Sequence, residues 1–571
     1  MPALIPAPVT LDTADGQLTL SAATAVSASA ELAAVALRLQ EALRPATGFA
    51  LPVREASAEP AAGDIRLSLD ENPGENLAAE GYRLHVDATG VEIVGGSPAG
   101  VFWGVQALRQ LLPASIYRSS LVRGVDWQLP FVTITDNPRF GWRGTMLDVA
   151  RHFLPKRELL RFIDLMAVHR LNVLHLHLTD DQGWRLQIRA FPRLTEVGGW
   201  RSESQRGHGP LAQGNGRPHG GFYTQDDIRE IVEYAAERFV TIVPEIETPG
   251  HVQAAIAAYP ELGVGDPAQA PSEPWTKWGV NTPVLNLEES TLDFLRTVFD
   301  EVMELFPSRH IGVGGDEAKK VEWEQDPRSQ ERIRELGLAN EEEAQSWFMR
   351  QLDAHLTAAG RTLFGWDEIL EGGLTPGATV ASWRGSYGAI AAARAGHPVV
   401  LCPDDLVYLD YRQSDSPAEP IPIGPPLSLD EVYAFEPVPT ELTASEAALV
   451  LGGQANIWSE HIDSPRHLDY MAFPRLCALA EAVWGPQSRD LAGFRARLDV
   501  HLGRLDALGV EYRAESGPRP WQSRPDAPGK PMSREQRLAV RDELIANLVA
   551  ADAAKAADAA VPPAEASSPA G

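Results

Sequence analysis

Cysteine and long apolar runs are scarce in this chain of 571 residues. With only two cysteines, Cys402 and Cys477, a disulfide framework is excluded, and so is an iron-sulfur or zinc cluster held by cysteines. No uncharged stretch of about 18 apolar residues occurs, so no membrane-spanning helix is expected. The first residues lack a basic segment followed by an apolar run, which predicts a chain without an export signal that acts in the cytoplasm.

Positive charge is also in short supply. The 50 Lys and Arg residues face 78 Asp and Glu residues, which gives a formal net charge of −28. A protein this acidic is poorly suited to phosphate backbones or anionic lipids, so neither nucleic acid nor membrane is expected as a partner. With 44% hydrophobic and 22% charged residues, the composition is that of a globular protein long enough for two domains. Nothing in the pattern indicates an oligomeric state.

Changes in composition and in the predicted secondary-structure pattern divide the chain into four parts. The first alternates Ala-rich helical segments with short strands, and the alternating residues 82–86 and 91–94 flank a turn, which indicates a hairpin. Near the other end, residues 533–536 form a capping box that predicts the start of a helix. The four parts are a non-catalytic α+β domain (1–130), a catalytic barrel (131–490), a C-terminal helical segment (491–550) and a disordered Ala-, Pro- and Ser-rich tail (551–571).

Strand, loop and helix repeat many times between residues 131 and 490, which indicates parallel βα units. Amphipathic helical spacing separates the strand patterns, and eight such units in about 350 residues predict a (β/α)8 TIM barrel. A doubly wound open sheet is the alternative, but no glycine-rich phosphate loop follows the first strand. The eight predicted strands are residues 145–148, 173–178, 240–244, 310–314, 362–366, 379–383, 399–402 and 448–455.

Acidic and aromatic residues gather where these strands are predicted to end. In a TIM barrel the working residues lie at the carboxyl ends of the strands. Tryptophan faces pack on the C–H faces of a pyranose and carboxylates accept hydrogen bonds from its hydroxyls, so this rim predicts a sugar site. The rim residues are Asp180, Asp181, residues 245–251, Asp316, Glu317, Trp366, Asp367, Glu368, Trp383, Arg384, Tyr408, Asp410, Trp458 and Glu460.

The segment from His310 to Glu317 carries the strongest chemical signal. Its glycines let the backbone approach a ligand, and it ends on two adjacent acids, one of which could protonate a leaving group. The alternative is that Asp316 and Glu317 only cap and charge the next helix. Their position opposite other rim acids favours the catalytic interpretation. The sequence leaves two roles open for Arg151, an ion pair near the rim and substrate binding. It also does not decide whether Trp275 and Trp278 contact the substrate at the rim or only anchor their loop.

Two other functions share part of this pattern. His175 and His177 lie on one face of a strand and, with nearby acids, suit a metal-dependent amidohydrolase. The later strand ends supply tryptophan, tyrosine and acids instead of further histidines, so hydrogen-bonded packing inside the barrel is the competing interpretation. A catalytically silent glycan-binding barrel would also need the tryptophans, but the presence of both Asp316 and Glu317 disfavours it.

Five motifs between residues 82 and 484 resemble the family 20 glycoside hydrolases, the β-N-acetylhexosaminidases. The front domain also looks like the family's non-catalytic α+β domain. The motifs are Arg143-Gly-Thr-Met-Leu-Asp-Val-Ala-Arg151-His-Phe, Asn172-Val-Leu-His-Leu-His-Leu-Thr-Asp180-Asp-Gln-Gly-Trp-Arg, Pro244-Glu-Ile-Glu-Thr-Pro-Gly-His251, Gly314-Gly-Asp316-Glu317 and Gly453-Gln-Ala-Asn-Ile-Trp458-Ser-Glu460.

The resemblance implies substrate-assisted catalysis, in which the acetamido oxygen of the sugar attacks the anomeric carbon. Glu317 would be the general acid and later the base, in surroundings that favour its protonated form, while Asp316 would hold the acetamido N–H and Tyr408 would bind the acetamido oxygen. The other implied roles are walls of the acetyl pocket (Trp366, Trp383, Trp458), ligands of ring hydroxyls (Arg151, Asp410, Glu460) and support for Glu317 (Asp180, His251).

The implied activity is that of an exo-acting, retaining β-N-acetylhexosaminidase that needs neither metal nor organic cofactor. Its substrates would be amino-sugar oligosaccharides or glycoconjugates with a terminal β-linked N-acetylglucosamine or N-acetylgalactosamine. The Gly-rich loop 201–221 and the Pro-rich loop 414–439 are expected to set linkage and length preference.

Overall fold

The computed structural model describes residues 2–56, 61–72, 77–209, 212–371, 373 and 375–559. The front domain is a seven-stranded sheet covered by two long helices, Ala33–Thr47 and Pro98–Leu111. The predicted hairpin is present, since Tyr82–Val86 pairs antiparallel with Gly90–Gly95 and buries alternate residues. In spatial order the sheet consists of Thr10–Thr19, Gln128–Asp136, Tyr82–Val86, Gly90–Gly95, Asp64–Leu69, Val26–Ala28 and Val53–Glu55.

The boundary between the front domain and the barrel lies later than predicted. Strand Gln128–Asp136 pairs with Thr10–Thr19 and with Tyr82–Val86, so it belongs to the front sheet, and a boundary at residue 130 would cut it. The buried carboxylate of Asp136 joins the two domains, because it receives hydrogen bonds from Arg170 and from Trp484 in the barrel. Local composition and residue pattern do not reveal such a pairing between distant segments.

The second domain is a closed barrel of eight parallel strands that follow one another around the barrel in chain order. All eight predicted strands are present, and the doubly wound alternative is wrong. Strand residues are almost wholly buried, because side chains fill the barrel interior on one side and meet the helices on the other. The barrel strands are Trp142–Asp148, Val173–His177, Thr241–Thr248, His310–Gly314, Thr362–Trp366, Thr379–Ser382, Val399–Leu401 and Val450–Ile457.

Helices of very different length follow these strands. The α-helices after the front domain are Lys156–Val168, Arg193–Glu196, Gln225–Ala236, Gln253–Ala258, Glu289–Leu305, Val321–Gln325, Pro327–Glu335, Glu341–Ala358, Tyr387–Arg394, Asp404–Val407, Leu429–Ala434, Ala444–Ala447, Pro465–Ala472, Arg475–Trp484, Leu491–Leu508 and Arg534–Ala559. Short 3-10 helices are Ala30–Leu32, Ala114–Tyr117, Pro260–Leu262, Pro267–Gln269 and Asp367–Leu370. Short strands are Thr179–Asp180, Gly183–Trp184, Trp200–Arg201, His219–Gly220, Ile423–Gly424 and Lys530–Pro531.

The C-terminal part consists of two helices joined by a long loop. The predicted capping box is present, since Gln536 N donates to Ser533 Oγ and Ser533 N donates to Gln536 Oε1. Helix Arg534–Ala559 runs nine residues into the tail predicted to be disordered, because that stretch is rich in alanine, the strongest helix former. Residues 560–571 lie outside the described residues. Within the described part of the chain, no helix has the length and apolarity needed to cross a membrane.

Candidate active site

A strained turn after the fourth barrel strand presents Asp316 and Glu317 to the mouth of the barrel. Gly314 and Gly315 have φ angles of +71° and +97°, and a Cβ on Gly314 would lie 1.8 Å from a carboxylate oxygen of Glu247. Glu317 itself has φ +47°, which is costly for a residue with a side chain. The next helix begins at Val321 with Lys320 at its N-cap, so the interpretation of the two acids as helix caps is wrong.

A buried histidine, His251, lies between the catalytic candidates and a second pair of acids. Its Nδ1 is 3.4 Å from Asp180 Oδ1 and 3.3 Å from Asp181 Oδ2. Its Nε2 is 3.6 Å from Glu317 Oε2 and 3.8 Å from Asp316 Oδ2. Burial alone would lower the pKa of His251, but the surrounding carboxylates, led by Asp180, raise it well above the usual value. These surroundings favour the imidazolium form of His251 at neutral pH.

Asp316 and Glu317 have opposite pKa shifts. Burial raises the pKa of Asp316 to about 6, against the opposing charge of His251. Burial also raises the pKa of Glu317, but the hydrogen bond and charge of His251 lower it by more, so the net shift is downward. The side chain of Glu317 is 39% exposed, so the carboxylate is also hydrated. These surroundings favour the carboxylate, and the expectation that they favour the protonated form of Glu317 is wrong.

Arg151 forms an ion pair at the rim, which was one of the two roles that the sequence left open for it. Its Nη2 lies 2.8 Å from Asp180 Oδ2, and its Nε donates to Gln182 Oε1 at 3.1 Å. The guanidinium also lies over the ring of Trp458, 4.8 Å from the ring centroid. The charge of Arg151 also acts on Glu460: burial raises the pKa of Glu460, and Arg151 partly offsets this rise. The ion pair with Asp180 is therefore compatible with a role of Arg151 in substrate binding.

The tryptophans from three different strand ends meet in one aromatic cluster together with Tyr408. Trp366 and Trp458 have ring centroids 5.7 Å apart, and Trp383 stacks on Tyr408 at 6.3 Å with an angle of 28° between the rings. Tyr408 also lies 6.3 Å from Trp458. We call this cluster of four rings the aromatic slot. It reaches the acids of the fourth strand through Glu368, which accepts a hydrogen bond from Trp383 and whose pKa the charge of Asp316 helps to raise.

Asp410 and Glu460 lie at the other end of the aromatic slot. They line a cavity of about 110 Å³ together with Trp458 and Trp278. Asp410 Oδ1 is buried without a hydrogen-bond partner among the described residues, and burial followed by the charge of Glu460 raises the pKa of Asp410 well above its usual value. Trp278 is both a cavity wall and a loop anchor, because its indole N–H donates to the carbonyl of Gln205 at 2.8 Å.

Two family models match the front domain and the barrel. The glycosyl hydrolase family 20 catalytic domain matches residues 140–487, and domain 2 of the same family matches residues 1–137. The chain belongs to glycosyl hydrolase family 20. These bounds coincide with the barrel and the front sheet, and they place the domain boundary after Asp136, where the structure has it.

Members of family 20 from several bacteria resemble this chain over most of its length. A protein of Porphyromonas gingivalis named beta-hexosaminidase is 43% identical over 89% of this chain, which spans 64% of that protein. The beta-N-acetylhexosaminidase of Cellulomonas fimi is 34% identical over 92% of this chain and 99% of its own. The solved family 20 beta-N-acetylhexosaminidase from Streptomyces coelicolor A3(2) has a TM-score of 0.77 and 34% identity, with 90% and 98% of the two chains covered.

The histidines that suggested a metal site in this family 20 barrel are paired with acids. His175 Nε2 lies 2.8 Å from Glu245 Oε2, and His177 Nε2 lies 2.9 Å from Glu247 Oε1. Nearby acids raise the pKa of His177, against the effect of burial. Packing inside the barrel was the competing interpretation, and the complete burial of both rings fits it.

Two buried acids of the site, Glu247 and Glu368, were placed at the rim from the sequence but were given no role there. Burial and the charges of Asp316 and Glu245 raise the pKa of Glu247, which lies behind the Gly314 turn. Burial also raises the pKa of Glu368, which accepts a hydrogen bond from the indole of Trp383 at 3.0 Å. Both acids come directly after barrel strands or within their last residues, which is why the sequence placed them at the rim. Their contacts with groups from other strands appear only in the folded barrel.

Proposed function

We propose that this family 20 protein is a retaining, exo-acting β-N-acetylhexosaminidase that removes terminal N-acetylglucosamine or N-acetylgalactosamine. One observation carries the proposal: Asp316 is 8% exposed, and its Oδ1 has no hydrogen-bond partner among the described residues. A buried, unsatisfied carboxylate oxygen beside the aromatic slot is suited to accept the N–H of an acetamido group. The names of the bacterial relatives, beta-hexosaminidase and beta-N-acetylhexosaminidase, support the same activity.

In this proposal the sugar supplies its own nucleophile. Asp316 accepts the acetamido N–H and turns the acetamido oxygen toward the anomeric carbon. Burial raises the pKa of Tyr408 well above its usual value, so its hydroxyl stays protonated and donates to that oxygen. Holding the nucleophile against the reacting carbon replaces a bimolecular encounter, which is worth about 7 to 11 kcal/mol of barrier.

Glu317 protonates the glycosidic oxygen and then accepts a proton from the attacking water. The second step suits the observed surroundings, because His251 stabilises the carboxylate. The first step needs a proton on Glu317, and we propose that the leaving group covers its exposed side chain and so raises its pKa. Asp316 and Glu317 titrate as a pair beside the cation of His251. Because burial raises the pKa of Asp316, the pair keeps one proton up to a higher pH than Glu317 would alone.

The remaining residues hold the sugar ring. Trp366, Trp383 and Trp458 keep water from the acetamido group and stabilise it by packing. Asp410 and Glu460 line one cavity with Trp458, and the guanidinium of Arg151 lies over the ring of Trp458. One cation and two acids fit a set of ring hydroxyls with both donors and acceptors. Asp180 connects the ring-hydroxyl ligands to the acids Asp316 and Glu317, since it pairs with Arg151 and with His251.

The deciding experiment compares aryl β-glycosides of N-acetylglucosamine, N-acetylgalactosamine and glucose, with the product anomer followed by NMR. We expect rapid release of the β-anomer from both acetamido sugars and very slow release from the glucoside. Glu317→Gln should lower kcat by about 10² to 10⁴, the usual contribution of a general acid. Equal rates on the glucoside, or an inverted product, would contradict the proposal. Chelator-sensitive amide hydrolysis would point to an amidohydrolase, and binding without turnover would point to a glycan-binding protein.

A further inference from the structure

The C-terminal segment beyond residue 487, where the family's catalytic domain ends, returns to the rim of the barrel. Its short strand Lys530–Pro531 pairs with Ile423–Gly424 in the loop that follows the seventh barrel strand. Arg412 in that loop donates to the carbonyl of Met532 at 2.9 Å. Helix Arg534–Ala559 therefore starts from a fixed point beside the loop that carries Tyr408 and Asp410.

The first turns of this helix are joined to that loop by two ion pairs. Arg537 Nε pairs with Asp404 Oδ2, and the side chains are 14% and 0% exposed. One turn further along, Arg541 Nη1 lies 3.1 Å from Asp405 Oδ2. The two acids open the short helix Asp404–Val407, which leads directly into Tyr408. Arg537 thus neutralises a buried carboxylate four residues before a member of the aromatic slot.

A chain of contacts leads from Asp404 to Tyr408. The hydroxyl of Tyr411 donates to Asp404 Oδ2 at 3.0 Å, and the ring of Tyr411 lies 5.8 Å from that of Tyr408. Arg475 fixes the backbone between them, since it donates to the carbonyls of Leu409 at 2.6 Å and Tyr411 at 3.0 Å. Movement of Asp404 would therefore move the ring that packs on Tyr408.

The same helix also touches the loop that carries the facing wall of the slot. Gly385 follows Trp383 by two residues and has φ +75°, and a Cβ there would lie 3.1 Å from Cδ of Arg541. Trp383 in turn stacks on Tyr408. The first two turns of the helix therefore contact both loops whose aromatic rings face each other.

We propose that Arg537, acting through Asp404, is a positioning residue that sets the width of the aromatic slot. Without it, the buried Asp404 carboxylate has no cation, so Asp404 and the Tyr411 hydroxyl that donates to it must rearrange. The ring of Tyr411 then no longer holds Tyr408 in line with the acetamido oxygen. This inference rests on the proposed hexosaminidase function, because it assigns the slot to the acetamido group. It adds the C-terminal helix to the elements that determine recognition of that group.

The test uses full-length Arg537→Ala, Asp404→Asn and their double variant. Two quantities are measured: kcat and KM on an aryl N-acetylglucosaminide, and the inhibition constant of the thiazoline derived from N-acetylglucosamine, a stable analogue of the cyclised intermediate. We expect Arg537→Ala to lower kcat and weaken the thiazoline by about tenfold each, since misplacement of a contact by a fraction of an ångström has effects of this order. KM should change little, because the ring-hydroxyl contacts remain.

The inhibition constant separates positioning from simple loss of stability, because it does not depend on how much of the enzyme is folded. In the Asp404→Asn background there is no buried charge to neutralise, so Arg537→Ala should no longer weaken the thiazoline. Arg537→Lys should restore most of the affinity, and Arg296→Ala, which removes an exposed ion pair on another helix, should change nothing. An unchanged inhibition constant in Arg537→Ala, or the same loss in both backgrounds, would overturn the inference. If the parent protein does not cleave the glycoside at all, the proposed function fails instead.

Discussion

Nε2 of His251 lies 3.6 Å from Oε2 of Glu317, close enough for the imidazolium to stabilise the carboxylate of the proposed general acid. The same cation faces Asp316, so the two acids titrate in one shared field. Burial raises the pKa of Asp316 to about 6, whereas His251 brings the pKa of Glu317 below its usual value despite burial. The pair therefore retains one proton between these two values, mainly on Asp316 in the free protein. In the proposed mechanism the bound sugar moves that proton to Glu317, which passes it to the glycosidic oxygen.

We predict a bell-shaped pH dependence of kcat/KM whose alkaline limb lies near pH 6. Catalysis needs one proton on the pair of Asp316 and Glu317, and the last proton leaves as the pH rises through the raised pKa of Asp316. The acid limb lies lower, where Glu317 and Asp316 are both protonated. Initial rates on an aryl N-acetylglucosaminide across this range measure both limbs. A rate that stays constant through neutral pH would contradict the prediction.

Replacement of His251 by glutamine should move both limbs to higher pH. The charge of His251 lowers the pKa of Asp316 and of Glu317, so its removal leaves the effect of burial unopposed in both. The maximal rate should also fall, because Asp180 and Asp181 lose their shared partner. His355→Gln is the matched control, since His355 pairs with the exposed Asp300 far from the rim. A lower rate with unmoved limbs would show that His251 acts only by packing.

Asp316→Asn should lower kcat by more than tenfold with a much smaller change in KM. The amide oxygen can still accept one hydrogen bond, but the negative charge that stabilises the positive intermediate is lost, and this loss is felt mainly in the transition state. Asp300→Asn, an exposed acid, serves as the control. An unchanged kcat on acetamido substrates would remove Asp316 from the proposed mechanism.

The strands and the rim acids were accessible from the sequence because both depend on local pattern. Each barrel strand is a short apolar run followed by helical periodicity, and a TIM barrel places its strand ends at one rim. Asp316, Trp366 and Trp458 could thus be assigned to one rim before their distances were known. The resemblance to a known family supplied their roles, which pattern alone does not give.

Contacts between residues that are far apart in the chain could not be predicted from the sequence. The downward pKa shift of Glu317 depends on His251, which is 66 residues away in the chain and reaches Glu317 only in the folded barrel. The contact between Arg537 and Asp404 spans 133 residues, and the sequence showed only that a helix begins near Ser533. The domain boundary was misplaced for the same reason, since strand Gln128–Asp136 is defined by its partners in the front sheet.

Asp136→Ala should destabilise the protein by about 3 to 5 kcal/mol, the usual cost of leaving one member of a buried ion pair without its partner. Asp136 Oδ2 lies 2.8 Å from Arg170 Nη1, both side chains are completely buried, and Tyr82 and Trp484 donate to the same carboxylate. Urea denaturation measures the change, and kcat of the folded variant should be close to that of the parent. Asp300→Ala, which removes an exposed pair, should cost less than about 1 kcal/mol. An equally small loss in Asp136→Ala would show that the two domains do not depend on this contact.

The contribution of two buried histidines, His169 and His501, to the stability of the protein should be lost as the pH decreases below about 6.5, the ordinary pKa of histidine. His169 Nε2 and His501 Nε2 lie 2.9 Å apart in a buried cluster with Cys477, and His169 Nδ1 contacts the carbonyl of Leu165 at 2.6 Å. Burial lowers the pKa of His169 to about 4 and that of His501 well below its usual value. Both rings are therefore neutral in the folded state, whereas the unfolded chain takes up their protons below pH 6.5. The contribution is fully present above that pH and is lost as the pH falls toward 4.

A shift of this size for His169 alone corresponds to about 3 kcal/mol. Thermal unfolding midpoints measured from neutral pH down to pH 4 should therefore fall steeply in the parent protein. His501→Gln removes one titrating ring and keeps a polar side chain, so its midpoint should start lower and fall less over the same range. His355→Gln, which removes a partly exposed histidine paired with the exposed Asp300, should follow the parent curve. If His501→Gln instead showed the parent's full pH dependence, the acid sensitivity would have to come from other groups, and His169 and His501 would be ordinary packing residues.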